Sequence, residues 1–176
     1  FQTVTSSASL AVRCERVVTE ARAAEAPNRS VKEYALEFTR EAGLADMADS
    51  RTANPHIDAV WSMDDETSIG ALQAIRDAGR NDIKVITGGG GCQEWFNMML
   101  ADENQDIWLQ SDLYSPVMVE DAVDMALDIL NGNAPEDPVK IIPTGRVDRE
   151  NAADYLDENS PCESDFPLIK GLWHQP

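Results

Sequence analysis

Between Ile57 and Gly91 the chain reads IDAVWSMDDETSIGALQAIRDAGRNDIKVITGGGG, and few folds accommodate segments in that order. An apolar run of strand length is followed by an acidic turn. A helical stripe of Ile69, Leu72, Ile75 and Ala78 comes next, closed by Gly79, and then a second apolar run and a glycine turn. Strand, turn, helix, strand and turn make one unit of a parallel α/β sheet. Both turns then fall at the carboxyl ends of strands, on the edge where open α/β sheets bind ligands.

The rest of the 176-residue chain extends this unit into one domain, or one and a fraction. Residues 1–56 are expected to be almost all helical after a strand tail at Phe1–Val4. One helix runs from the caps at Ser6–Ser9 to about Ala26. A second opens on a capping box at Ser30 and Glu33 and stops at Gly43, and a short third runs from Leu44 to Ala53, before Asn54-Pro55. Residues 57–113 form the β-α-β-α-β core, with strands at Ile57–Met63, Ile83–Thr87 and Ile107–Leu113 and a helix at Cys92–Asp102. In residues 114–158, Pro116 fits the first turn of a long helix that buries Val119, Val123, Leu127 and Leu130. A strand at Val139–Ile142 and a helix capped by Asp148 follow. Residues 159–176 read as an irregular tail.

The charge count, 14 basic against 32 acidic residues for a net of −18, governs what the surface repels. Nucleic acid is bound through basic patches, and the sequence has none, so no nucleic-acid partner is expected. An apolar content of 43% suffices for a core, and no run is long enough to span a membrane. FQTVTSSASL has neither the basic nor the apolar region of a signal peptide. A mature or trimmed form, or a cytosolic protein, fits equally, and the absence of an initial Met points to residues upstream. Cys14, Cys92 and Cys162 lack metal-ligand spacing. Three buried thiols, or one disulfide with Cys92 and Cys162 as the pair that could meet, both remain open.

Asp64, Asp65 and Glu66 open the central helix, where carboxylates favour the positive end of the macrodipole. They could also accept hydrogen bonds from a ligand or hold a divalent cation through hard oxygens. Capping with ligand contact is the favoured reading, and neither metal nor cofactor is expected. Adjacent residues at a strand end point opposite ways, so one of Asp64 and Asp65 faces a cleft more easily. Gly88–Gly91 lacks the spacing of a dinucleotide or P-loop motif and reads as a turn that lets backbone approach a ligand. With His56 and His174 the only histidines and no nucleophile elbow, a hydrolytic site is not assembled and no enzyme is expected.

At Asp64–Ala71 the chain resembles the type I periplasmic binding proteins for sugars, whose signature is Asn-Asp-x-x-Ala-x-Gly-Ala. Asp64 stands for the asparagine and Ser68 for an alanine. Ile83–Gly90 resembles the family strand ending Gly-Phe-Asp-Gly, but reads Thr87-Gly88-Gly89-Gly90, so the sugar-binding aspartate falls on Gly89. Asp106–Pro116 is similar to the strand that crosses the hinge, residues 120–132 to the helix after it, and Pro143 to Tyr155 to the closing segment. Arg13 aligns with an arginine that binds sugar.

The resemblance implies a three-layer doubly wound parallel α/β fold, one lobe of a type I binding protein lacking most of the other. It leaves no room between Glu25 and Ser30 for the strand the family places before its next helix. It further implies the solute-binding component of an ABC importer, outside the cytoplasm in the periplasm or, lipid-anchored, at the cell surface. Its partners would be a small-molecule sugar and a membrane permease, and its ligand contacts Arg13, Asp64, Asp65, Gly89, Asp112 and Tyr114. The alternatives are a metal-dependent enzyme using Asp64–Glu66, and the ligand domain of a sugar-responsive transcription regulator.

Overall fold

The computed structural model describes residues 2–5, 33–35, 38–113, 118–137, 139 and 141–156. Among them six strands form one sheet: β1 (Gln2–Thr5), β2 (Glu33–Ala35), β3 (Ala59–Trp61), β4 (Val85–Gly89), β5 (Trp108–Leu113) and β6 (Gly145–Asp148). Their order is β2-β1-β3-β4-β5-β6. The first five run parallel, in register through pairs such as Val4 with Tyr34 and Ile86 with Leu109. The order reverses between β1 and β3, the switch point of a doubly wound sheet.

Four α-helices accompany the described strands: α1 (Arg40–Ala53), α2 (Asp65–Asp77), α3 (Gln93–Leu100) and α4 (Met118–Leu130). The first three follow crossovers that step the same way along the sheet, and they pack side by side. Their apolar stripes meet the strands in one core, with Ile75, Ile83, Ile86, Trp95, Phe96 and Ile107 fully buried. Each such side chain contributes about 1.5–3 kcal/mol by leaving water.

The central unit matches the sequence reading, with shorter strands. Elsewhere the structure corrects it. The capping box at Ser30 and Glu33 does not open a helix: Glu33–Ala35 is β2, because pairing with β1 outweighs a local cap. This is the strand for which Glu25–Ser30 had no room. Thr39 provides the cap instead, its hydroxyl accepting from Ala42 N at 3.2 Å, and the helix runs to Ala53 without interruption. Gly43 is therefore not a stop. A Cβ on it would lie 2.2 Å from Thr67 O, and one on Gly70 would lie 2.0 Å from Arg40 O, so the two glycines let α1 and α2 cross backbone to backbone.

The helix expected at Ser6–Ala26 lies outside the described residues. Of the strand expected at Val139–Ile142, the described residues Val139, Ile141 and Ile142 are not in a strand. The sixth strand is Gly145–Asp148, and it runs antiparallel to β5, pairing Ser111 with Val147. The final helix is a 3-10 turn at Ala152–Tyr155. The stripe of α4 expected to be buried is open to solvent, with Val119 60%, Val123 53%, Leu127 52% and Leu130 82% exposed. Nothing within the described chain covers it. No helix among the described residues is long and apolar enough to cross a membrane.

Candidate functional site

The turns after β3 and β4 and the end of β5 lie side by side on the carboxyl edge, next to the switch point. Small polar side chains tie them together. Ser62 N donates to Thr87 Oγ1 at 3.1 Å, and Thr87 Oγ1 donates back to Ser62 O at 2.8 Å, linking the two strand ends. Ser68 Oγ lies 2.7 Å from Asp64 O and 2.8 Å from Thr87 O, joining α2 to β4.

The three acidic residues of the turn diverge. Asp64 caps α2, its Oδ1 accepting from Glu66 N at 2.9 Å and Thr67 N at 3.4 Å, and it stays half-buried at the rim. Burial pushes its carboxyl above the usual range, against the pull of the two amides. Asp65 turns inward and is 2% exposed. Its Oδ2 accepts from Gly91 N at 2.8 Å, Cys92 N at 2.7 Å and Ser111 Oγ at 2.8 Å. Glu66 turns aside to Arg40, at 3.1 Å from Nε. Arg40 also holds Glu94 at 2.7 Å, so one guanidinium joins the first turns of α1, α2 and α3; these pairings keep it firmly charged. Three carboxylates pointing three ways do not make a cation cage, and the described residues contain no acidic, histidine or cysteine cluster able to hold a metal.

The glycine turn follows from that arrangement. Gly90 and Gly91 have φ of 113° and 92°, a region that side chains rarely occupy, and this conformation aims the Gly91 and Cys92 amides at Asp65. Gly89 sits at the end of β4, where a Cβ would lie 2.8 Å from Met63 O. An aspartate cannot be placed there without moving backbone. Asp112 is exposed at the end of β5, its Oδ1 accepting from Gln110 Nε2 at 3.2 Å and its carbonyl accepting from Gly90 N at 3.1 Å. Partial burial raises its carboxyl above the ordinary value.

Of the residues expected to contact a ligand, the edge thus brings together Asp64, Gly89 and Asp112, with Asp65 beneath them; Arg13 and Tyr114 lie outside the described residues. Cys92 is disulfide-bonded, and Cys162 lies outside the described residues. His56 is at the opposite edge, 2.9 Å from Asp58 Oδ1, far in the fold from both turns. Trp95 is core, its indole donating to Gln110 O at 3.1 Å. Trp108 lies under the Arg149 guanidinium, 4.9 Å from its ring centroid.

Sequence reading missed Ser111 and Arg40. Ser111 had a signal: it is a polar residue on the inward side of β5 between Leu109 and Leu113, where a buried hydroxyl needs a partner. Arg40 had none, since its partners are 26 and 54 residues away.

Several known proteins are similar to this chain. A Rhizobium meliloti protein named, provisionally, for rhizopine binding is 29% identical over 129 residues, 73% of this chain and 41% of that protein. The ribose import binding protein of Escherichia coli K12 is 40% identical over 50 residues, 28% of this chain and 17% of that protein. Among solved structures, the periplasmic binding component of an arabinose ABC transporter from Shewanella sp. ANA-3 superposes with a TM-score of 0.63 at 28% identity, over 87% of this chain and 51% of that one. A solute-binding protein from Mycobacterium smegmatis with bound glycerol shares the fold, with a TM-score of 0.68 at 20% identity over 93% of this chain and 56% of that one. The chain spans about half the length of these solved relatives, or less than half of the sequence relatives it matches. A model of the periplasmic binding protein domain matches residues 12–134, and the chain belongs to that family.

Proposed function

We propose that the carboxyl edge binds a sugar or a similar small polyhydroxy solute, without chemistry, as the solute-binding component of an ABC importer. One observation carries this reading: in a chain of this family, the acidic turn and the glycine turn meet on the ligand edge of a doubly wound sheet at its switch point. Asp64 and Asp112 offer rim carboxylates to hydroxyl groups, and Gly89 lets the backbone come close. By the family resemblance, Arg13 and Tyr114 complete the contacts. Asp65 supports the rim from beneath. The divergent carboxylates count against the metal-dependent alternative.

Residues 57–113 make up the ligand-facing segment, 114–158 the hinge-crossing helix and closing strand, and 159–176 the tail, in which Cys162 is the proposed partner of Cys92. The bare stripe of α4 is where a second lobe would seat, and closure of two lobes is what buries a ligand in such a cleft. The protein would work outside the cytoplasm, with a membrane permease as partner.

A thermal-shift screen of pentoses, hexoses and inositols tests the reading. A binder raises the melting temperature with the logarithm of its excess over the dissociation constant, and Asp64→Ala and Asp112→Ala reduce that gain. No shift with any of them, alongside a metal-dependent shift that Asp64→Ala abolishes, would overturn it.

A further inference from the structure

The acidic turn and the glycine turn are joined twice. Beneath the edge, Asp65 Oδ2 takes the Gly91 and Cys92 amides and the Ser111 hydroxyl. Nearer the surface, Arg40 joins the helices that open from the same two turns. Its guanidinium forks onto two carboxylates at once. Nε and Nη2 donate to Glu66 at 3.1 and 3.2 Å, and Nη1 and Nη2 donate to Glu94 at 3.0 and 2.7 Å. Glu66 follows Asp65 directly and Glu94 stands two residues after Cys92, so each glutamate adjoins the inner tie. Glu66 Oε1 also lies 3.7 Å from Cys92 Sγ. Arg40 is itself held in place: a Cβ on Gly70 would lie 2.0 Å from Arg40 O, so the first turn of α1 rests directly on α2. Paired planar forks fix direction as well as distance. One tie leaves two turns free to pivot about it; a second tie at a different place stops the pivot.

We propose that Arg40 is a positioning residue for the solute edge: by clasping Glu66 and Glu94 it holds the acidic and glycine turns in the relative placement that a solute meets, without touching the solute. This deepens the binding reading and rests on it. The Arg40 side chain is 34% exposed, and ion pairs open to water contribute little to folding, so what the double fork adds is geometry. Turns that are in place only part of the time bind with an apparent affinity reduced by that fraction. Arg76 supplies a matched contrast. Its side chain is 32% exposed and forks onto Asp106 at 3.0 and 2.6 Å, but it stands at the last turn of α2, on the amino edge of the sheet away from both turns. Loss of either arginine removes a comparable ion pair, and loss of Arg40 alone unclasps the edge.

Amide NMR on whole-chain Arg40→Gln and Arg76→Gln, well below their melting temperatures, decides the matter. Without any solute, Arg40→Gln should bring microsecond-to-millisecond exchange broadening to residues 63–66 and 88–92 together, while Arg76→Gln leaves both turns sharp. With a pentose, hexose or inositol that the wild-type chain binds, Arg40→Gln should weaken binding roughly two- to thirtyfold and Arg76→Gln should leave it unchanged. Glu94→Gln opens the clasp from the far side and should reproduce both effects, which covers the case of an Arg40→Gln chain that does not fold. Turns that stay sharp in Arg40→Gln, a lowered melting temperature with unchanged sugar affinity, or equal losses of affinity in the Arg40 and Arg76 variants would overturn the proposal. If no sugar moves the wild-type chain, the binding reading fails, and the solute-free spectra still decide whether Arg40 holds the turns.

Discussion

Helices α2 and α4 are each 13 residues long, and each carries an apolar stripe at helical spacing, yet α2 buries nine residues and α4 none. The difference does not lie in the stripes. α2 sits between two strands it connects within a few residues, so its face closes on β4 and α1 at once. α4 leaves the sheet after β5, and the chain returns as an antiparallel edge strand, so no crossover lays the helix on the sheet. Periodicity states that a face needs cover; it does not state which surface provides it.

The comparison can be broken most forcefully in the core. Trp95→Ala should cost about 3–5 kcal/mol in urea unfolding, because it leaves a large cavity and strands the Gln110 carbonyl. A loss below about 1 kcal/mol would mean that α3 is not seated as described. Gly43→Ala should cost about 1–3 kcal/mol, since the new methyl meets the Thr67 backbone, which has no flexible end to yield. A neutral or stabilising result, as expected of an ordinary mid-helix glycine, would refute the close crossing of α1 and α2. Asp64→Ala should cost about 1 kcal/mol through loss of the α2 cap. At the other pole, Leu127→Ala in α4 should change thermal stability by less than about 0.5 kcal/mol, and a larger loss would show that the stripe is covered after all.

What could be read from sequence follows the same division. The unit from Ile57 to Gly91 was legible because pattern, cap and turn residues agree locally: Asp64 caps, the stripe at Ile69, Leu72 and Ile75 is buried, and the glycine turn lies on the carboxyl edge of the sheet. The errors arose where distant contacts decide. Ser30 and Glu33 form a sound capping box, but β1 recruits Glu33–Ala35 as a strand. Gly43 looks like a stop until α2 is placed against it. Within the candidate site, the residue types at Asp64 and Asp112 were evident, whereas the inward turn of Asp65 depends on Ser111, 46 residues away.

The central claim is that the edge holding Asp64, Gly89 and Asp112 receives a polyhydroxy solute. Amide NMR with millimolar pentoses, hexoses and inositols tests it most directly, since a single lobe holds a ligand weakly but still reports where it sits. The account predicts shifts concentrated on residues 63–66, 88–92 and 111–113. Shifts confined to the opposite edge around His56 and Asp82, or a spectrum unmoved by every sugar tried, would contradict it.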